Sequence, residues 1–190
     1  MTALIKRNAR ERILSTAHGL FYKAGIRATG IDHIIREAGV TKVTFYRHFP
    51  AKNDLILAFL HYRHALWITW FKDSLDSDIA MSGSLYQALP LTLAKWFVSA
   101  DFHGCAFINA TAEIADALPE ALPIIRQHKQ TMIQTIAAYL PQTPQGVQDA
   151  QKCALLVDGA IVMAQREENV QVALELRHPP RRHVQPGKVG

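Results

Sequence analysis

The segment Ile31–Pro50, "IDHIIREAGVTKVTFYRHFP", constrains this chain most tightly. Ile31, Ile34, Ile35 and Ala38 recur at helical spacing and predict a short amphipathic helix. Gly39 interrupts it, because the tight turn after a helix favours a residue that tolerates positive φ. Val40 is placed to plug the gap between elements. Thr41 carries a hydroxyl suited to capping a second helix, Lys42 to Phe49, and Pro50 ends that helix. Two short helices around a turn of about three or four residues have the shape of a helix-turn-helix.

The flanks are helical too. In "ARERILSTAHGLFYKAG" the apolar residues Ile13, Leu14, Ala17, Leu20, Phe21 and Ala24 form one stripe. Gly25 follows as a C-cap, with Lys23 favourably placed in the last turn. A longer helix is predicted from Lys52 to about Lys72, its apolar set including Leu55, Phe59, Tyr62, Leu66, Trp70 and Phe71. The polar run "DSLDSDIAMSGS" reads as a loop. Further helices are expected near 84–100, 104–117, 122–140 and 147–166, with a short one near 169–177. Pro90 is expected to kink the first of these or shift its start, whereas Pro123 suits a first turn. "LPQTPQG" is a break, and residues 179–190 read as a disordered basic tail. The expected fold is all-α, with residues 1–52 as a helix-turn-helix domain and 53–178 as a second helical domain.

Composition narrows the function classes. Apolar residues make up 49% of the 190, enough for a real core. No apolar run reaches the roughly 18 to 20 residues of a membrane span, and "MTALIKRNARER" lacks the apolar stretch of a signal peptide, so a cytoplasmic protein is expected. Cys105 and Cys153 make no disulfide framework. Residues 1–64 hold eleven Lys or Arg against four acids, and the remainder holds ten against twelve. A basic front and a near-neutral back suit a polyanion-binding module joined to one with another task.

The second helix of the motif carries the chemistry. Val43, Tyr46 and Phe49 are expected to lie against the neighbouring helices, leaving Lys42, Thr44, Arg47 and His48 outward. Arg and Lys donate to guanine, Thr donates or touches the thymine methyl, and His does either. Thr29, Tyr46 and Lys52 are placed for phosphates at the edges. The expected contacts to double-stranded DNA are therefore Thr29, Thr41, Lys42, Thr44, Tyr46, Arg47, His48 and Lys52. No nucleophile–base constellation or open metal site is evident, so neither an enzyme nor a cofactor is expected. His61 and His64 sit at i, i+3, but no third metal ligand accompanies them. A non-specific architectural DNA protein would fit the charge without needing so large an apolar remainder.

"TGIDHIIREAGVTKVTFYRHFPAKNDLI" resembles the DNA-binding segment of the TetR family of repressors. "AGVTK", "TFYRHF" and "KNDL" follow the family's order and spacing, and the resemblance covers roughly residues 9 to 60. Gly30 stands where the family often has Ser or Thr, with Thr29 available to take over its contact, and Ile35 stands where Ala is usual. "FHGCAFINATAEIAD" resembles a later Gly-Cys-x-Phe-x-Asn segment of many members. The resemblance implies a homodimer on a near-palindromic operator, with the C-terminal helices forming the ligand pocket and the dimer interface. The small residues Ala154, Gly159, Ala160 and Ala164 fit close helix packing there. The candidate pocket residues are Trp67, Trp70, Phe71, Trp96, Phe102, His103, Cys105, Phe107, Asn109, Met132 and Met163, a set suited to an apolar or aromatic effector. Cys105, near a helix start and two residues from His103, offers an alternative as an electrophile or oxidant sensor.

Overall fold

A computed structural model describes residues 8–169 and 171. Every regular element among them is a helix: α1 Ala9–Ala24, α2 Ile31–Ala38, α3 Lys42–His48, α4 Lys52–Ser82, α5 Leu85–Phe97, α6 Ala106–Ile114, α7 Ala121–Ala137 and α8 Pro144–Glu167. The expected short helix at 169–177 and the tail at 179–190 lie almost wholly outside the described residues.

Helices α1 to α3 close around Ile13, Ala17, Phe21, Ile34, Phe45 and Phe49, all buried. Local chemistry sets their ends. Asn8 and Glu11 form a reciprocal capping box at α1. Gly39 ends α2 in the left-handed region at φ 61°, and Thr41 Oγ1 accepts from the Thr44 amide to start α3. The Asp54 carboxylate accepts from the Ala51 amide at 2.8 Å and opens α4.

Helix α4 packs against α1 with its first half and against α5 and α7 beyond. It differs from the expected helix in length. The stretch read as a loop continues it for three more turns, to Ser82, where Gly83 ends it in the left-handed region. Leu75 and Asp78 point into the core from this stretch, while Asp73, Asp76 and Ser77 face solvent. Asp78 is fully buried because α5 supplies its partners: the Thr92 hydroxyl donates to it at 2.7 Å and Lys95 Nζ at 2.5 Å. Pro90 lies buried inside α5, whose start at Leu85 it does not displace. Helix α8 begins three residues earlier than expected, with Pro144 in its first turn and Thr143 as its cap. Its small residues Ala154, Ala160 and Ala164 are buried within the chain, so they serve this molecule's own core rather than an outer face.

Candidate nucleic-acid interface and effector cleft

The seven residues of α3 are divided by two phenylalanines. Phe45 and Phe49 fill the core below the helix, 6.3 Å apart between ring centres. This register sends Lys42, Val43, Tyr46 and Arg47 to the surface and leaves Thr44 and His48 half-buried. Val43 corrects the expectation most sharply: it is 80% exposed rather than packed on α1 and α2. Tyr46 is also exposed, its ring edge-on to Phe45 at 5.3 Å. Pairing Phe45 with Phe49 at i, i+4 would have given this register from the sequence, since both are larger and more apolar than Val43 or Tyr46. Thr44 Oγ1 lies 2.9 Å from Thr41 Oγ1, so the two hydroxyls share one hydrogen bond at the front of the helix.

Two expected phosphate contacts are placed differently. Thr29 is buried, and its hydroxyl donates to the Gly25 carbonyl at 2.7 Å, pinning the α1–α2 turn rather than facing outward. Lys52 is half-buried. Its Nζ donates to the Ile26 carbonyl at 2.7 Å and lies over the Phe21 ring, and burial lowers its pKa. Arg12 Nη2 donates to the Gly39 carbonyl at 3.0 Å, and Arg10 lies over Phe49. Several cations of the basic front thus brace the motif from behind.

A cleft of about 900 Å³ opens between α1 on one side and α4, α5 and the following loop on the other. Trp67, Trp70, Trp96 and His103 of the expected pocket line it, together with His18, Tyr22 and Arg63, which sequence reasoning missed. His18 and Tyr22 were missed because α1 was assigned wholly to the DNA-binding domain, and Arg63 because pocket residues were sought largely among aromatic and apolar side chains. Phe102, His103 and Asn109 line a second, smaller cleft of about 480 Å³ beside α8. Phe71, Phe107 and Met132 reach neither cleft and are sealed in the core. Met163 sits on the exposed side of α8.

Tyr22 joins the two halves. Its hydroxyl donates to the Gly104 carbonyl at 2.8 Å, accepts from the His103 amide at 3.1 Å and is bonded to the Trp96 side chain. A second tie runs from the Arg27 amide to the Glu113 carboxylate at 3.0 Å. Burial depresses His18 to a pKa of about 4, aided by the charge of Arg63, so this imidazole is neutral near pH 7. His128 is depressed further, to about 2, by burial and then by the cations Lys129 and Arg63 and the His64 ring. It stacks on Phe107 at 3.6 Å and meets His64 Nδ1 at 3.2 Å. His64 is thereby engaged with another histidine, and no group of three metal-ligating side chains exists among the described residues. Cys105 is buried at the head of α6. Lys129 Nζ lies 3.5 Å from its sulfur and 2.5 Å from Asp158, so the neighbouring cation comes from α7 and not from His103.

Comparison with known proteins places these features in context. The family profile described as "Bacterial regulatory proteins, tetR family" matches residues 13–59, from α1 into the start of α4. The uncharacterized HTH-type transcriptional regulator YerO of Bacillus subtilis is 37% identical over 71 residues, which cover 37% of this chain and 24% of that protein. An uncharacterized HTH-type transcriptional regulator of Lactococcus lactis is 26% identical over 110 residues, 57% of this chain and 56% of that one. The chain thus spans from about a quarter to just over half of these two curated relatives. Solved structures extend further. SCO4454, a TetR-family transcriptional regulator from Streptomyces coelicolor, is 31% identical with a TM-score of 0.75, over 90% of both chains. The reduced form of NemR from E. coli shares the fold at 19% identity and a TM-score of 0.76, over 90% of this chain and 95% of that one.

Proposed function

The chain belongs to the TetR family of bacterial regulatory proteins, and from that premise we propose that it is a dimeric, cytoplasmic, sequence-specific DNA-binding repressor that a small molecule releases from its operator. The observation that carries DNA reading is the outer face of α3. Lys42, Val43, Tyr46 and Arg47 stand exposed on a helix fixed from below by Phe45 and Phe49 and capped by Thr41. Such a face offers cations for guanine and phosphate and an apolar group for thymine. Two copies in successive major grooves, about 34 to 36 Å apart or somewhat more, would read a near-palindrome. An exposed stripe on α8, Leu155, Gly159, Val162 and Met163, supports self-association through that helix.

Release requires a ligand that favours one spacing of the reading heads over another. Helix α4 and the Tyr22 and Glu113 ties connect each head to the body that carries the clefts. Selection of bound duplexes from a random pool, at stated salt, tests the reading. A near-palindromic consensus is expected, and retention of the pool without sequence enrichment would leave only an architectural DNA-binding role. A second reading, thiol sensing, rests on one observation, the Lys129 ammonium 3.5 Å from the Cys105 sulfur. Operator release by hydrogen peroxide that vanishes in Cys105→Ser would support it, and release that persists would remove it.

A further inference from the structure

Arg63 is a half-buried cation on α4 in the wall of the larger cleft. Its guanidinium carbon lies over the Tyr22 ring, 3.9 Å from the ring centre. One of its nitrogens, Nη1, approaches His18 Nε2 at 3.5 Å, and no carboxylate among the described residues pairs with it. Guanidinium carries five N–H donors, and a partly desolvated charge ordinarily has an opposite charge to meet it. The other charges of the wall do not supply one. Glu37 bears Arg36 at 3.3 Å, and Lys95 is committed to Asp78. Lys23 and Arg63 then stand against Asp101 alone.

The rest of the wall is aromatic. All three tryptophans of the chain line this one cleft. Trp67 is buried, and its indole N–H has no partner. Trp70 and Trp96 lie 5.9 Å apart between ring centres, both in contact with Trp67. Flat apolar walls and a cation without a carboxylate partner together define a guest.

We propose that the cleft between α1 and α4 binds an aromatic carboxylate, its carboxylate on Arg63 and its ring against the tryptophans. The guest touches the reading head through α1 and the body through α4 and α5. Its role as the releasing effector rests on the ligand-responsive reading above, whereas binding itself does not.

The test is a fluorescence titration of the full chain, in which every tryptophan reports on this cleft. The probes are 2-naphthoate and its neutral isostere 2-naphthamide. The acid should quench saturably and bind at least tenfold tighter than the amide. Arg63→Gln should erase that preference and Arg63→Lys should keep part of it, with helical circular dichroism unchanged in both. Equal binding of acid and amide, no saturable binding of either, or a preference that survives Arg63→Gln overturns the assignment. Operator affinity measured on the same samples separates the two readings. Acid binding that leaves DNA affinity unchanged keeps the site and removes its effector role. Operator release by acid and amide alike keeps an effector role for the cleft and removes the anion assignment.

Discussion

At the scale of single residues, Val43 is the most informative side chain on α3, the proposed reading helix. An isopropyl group at 80% exposure has nothing of its own chain to pack on and suits the methyl group of thymine. Replacing one thymine of the selected operator by uracil should cost about 0.8 kcal/mol, roughly fourfold in affinity, and Val43→Ala should lose that sensitivity. An anisotropy titration with the paired duplexes measures both. His128 makes a different prediction. Its folded pKa of about 2 lies below the ordinary 6.5, so the unfolded chain takes up protons first as pH falls. Stability is therefore complete above about pH 6.5 and declines below it, with His18 adding to the slope down to about pH 4. The thermal midpoint should drop between pH 7 and pH 4.5, and His128→Leu should flatten that drop. Thr29 shows why such details escape the sequence. A threonine beside a glycine looks the same whether its hydroxyl faces a phosphate or, as here, the Gly25 carbonyl.

At the scale of elements, the helix-turn-helix was legible because its signals are local. Gly39, Thr41 and Pro50 act on their immediate neighbours, and the observed ends of α2 and α3 follow them to within a residue. Thr41→Ala should cost about 1 kcal/mol in denaturant unfolding and weaken operator binding, because the cap and the Thr44 hydroxyl bond go together. The second half of α4 was not legible. Its Asp and Ser residues have the composition of a loop, and the reason Asp78 is tolerated in a helix core sits on another helix, at Thr92 and Lys95. Asp78→Ala should strand the buried Thr92 hydroxyl and cost about 1 to 3 kcal/mol, whereas the double change Asp78→Ala with Thr92→Val should cost less than the sum. Register within α3 failed for a different reason. Over seven residues helical spacing alone fits the Val43 face as well as the Phe45 face, and only the greater size and apolarity of Phe45 and Phe49 separates them.

At the scale of the whole molecule, the all-α plan and the DNA-binding segment were readable, while the position of the cleft was not. Its walls come from α1 and from residues more than forty positions later, and only folding brings His18, Tyr22 and Arg63 together. Self-association belongs to this scale as well. Leu155 is 73% exposed on α8, so Leu155→Glu leaves the core intact but puts charge into the stripe. Sedimentation should show that variant as a monomer, with operator affinity falling steeply as two-headed binding is lost. Tyr22 ties the two halves through one hydroxyl oxygen, whose three partners all lie at the end of α5 or in the loop after it. Tyrosine and phenylalanine codons differ by a single base. On the proposed reading, a single point mutation to phenylalanine would cut that tie and leave α4 and the Arg27–Glu113 bond as the remaining links, so a descendant that folds and grips its operator but answers its effector more weakly lies one evolutionary step away.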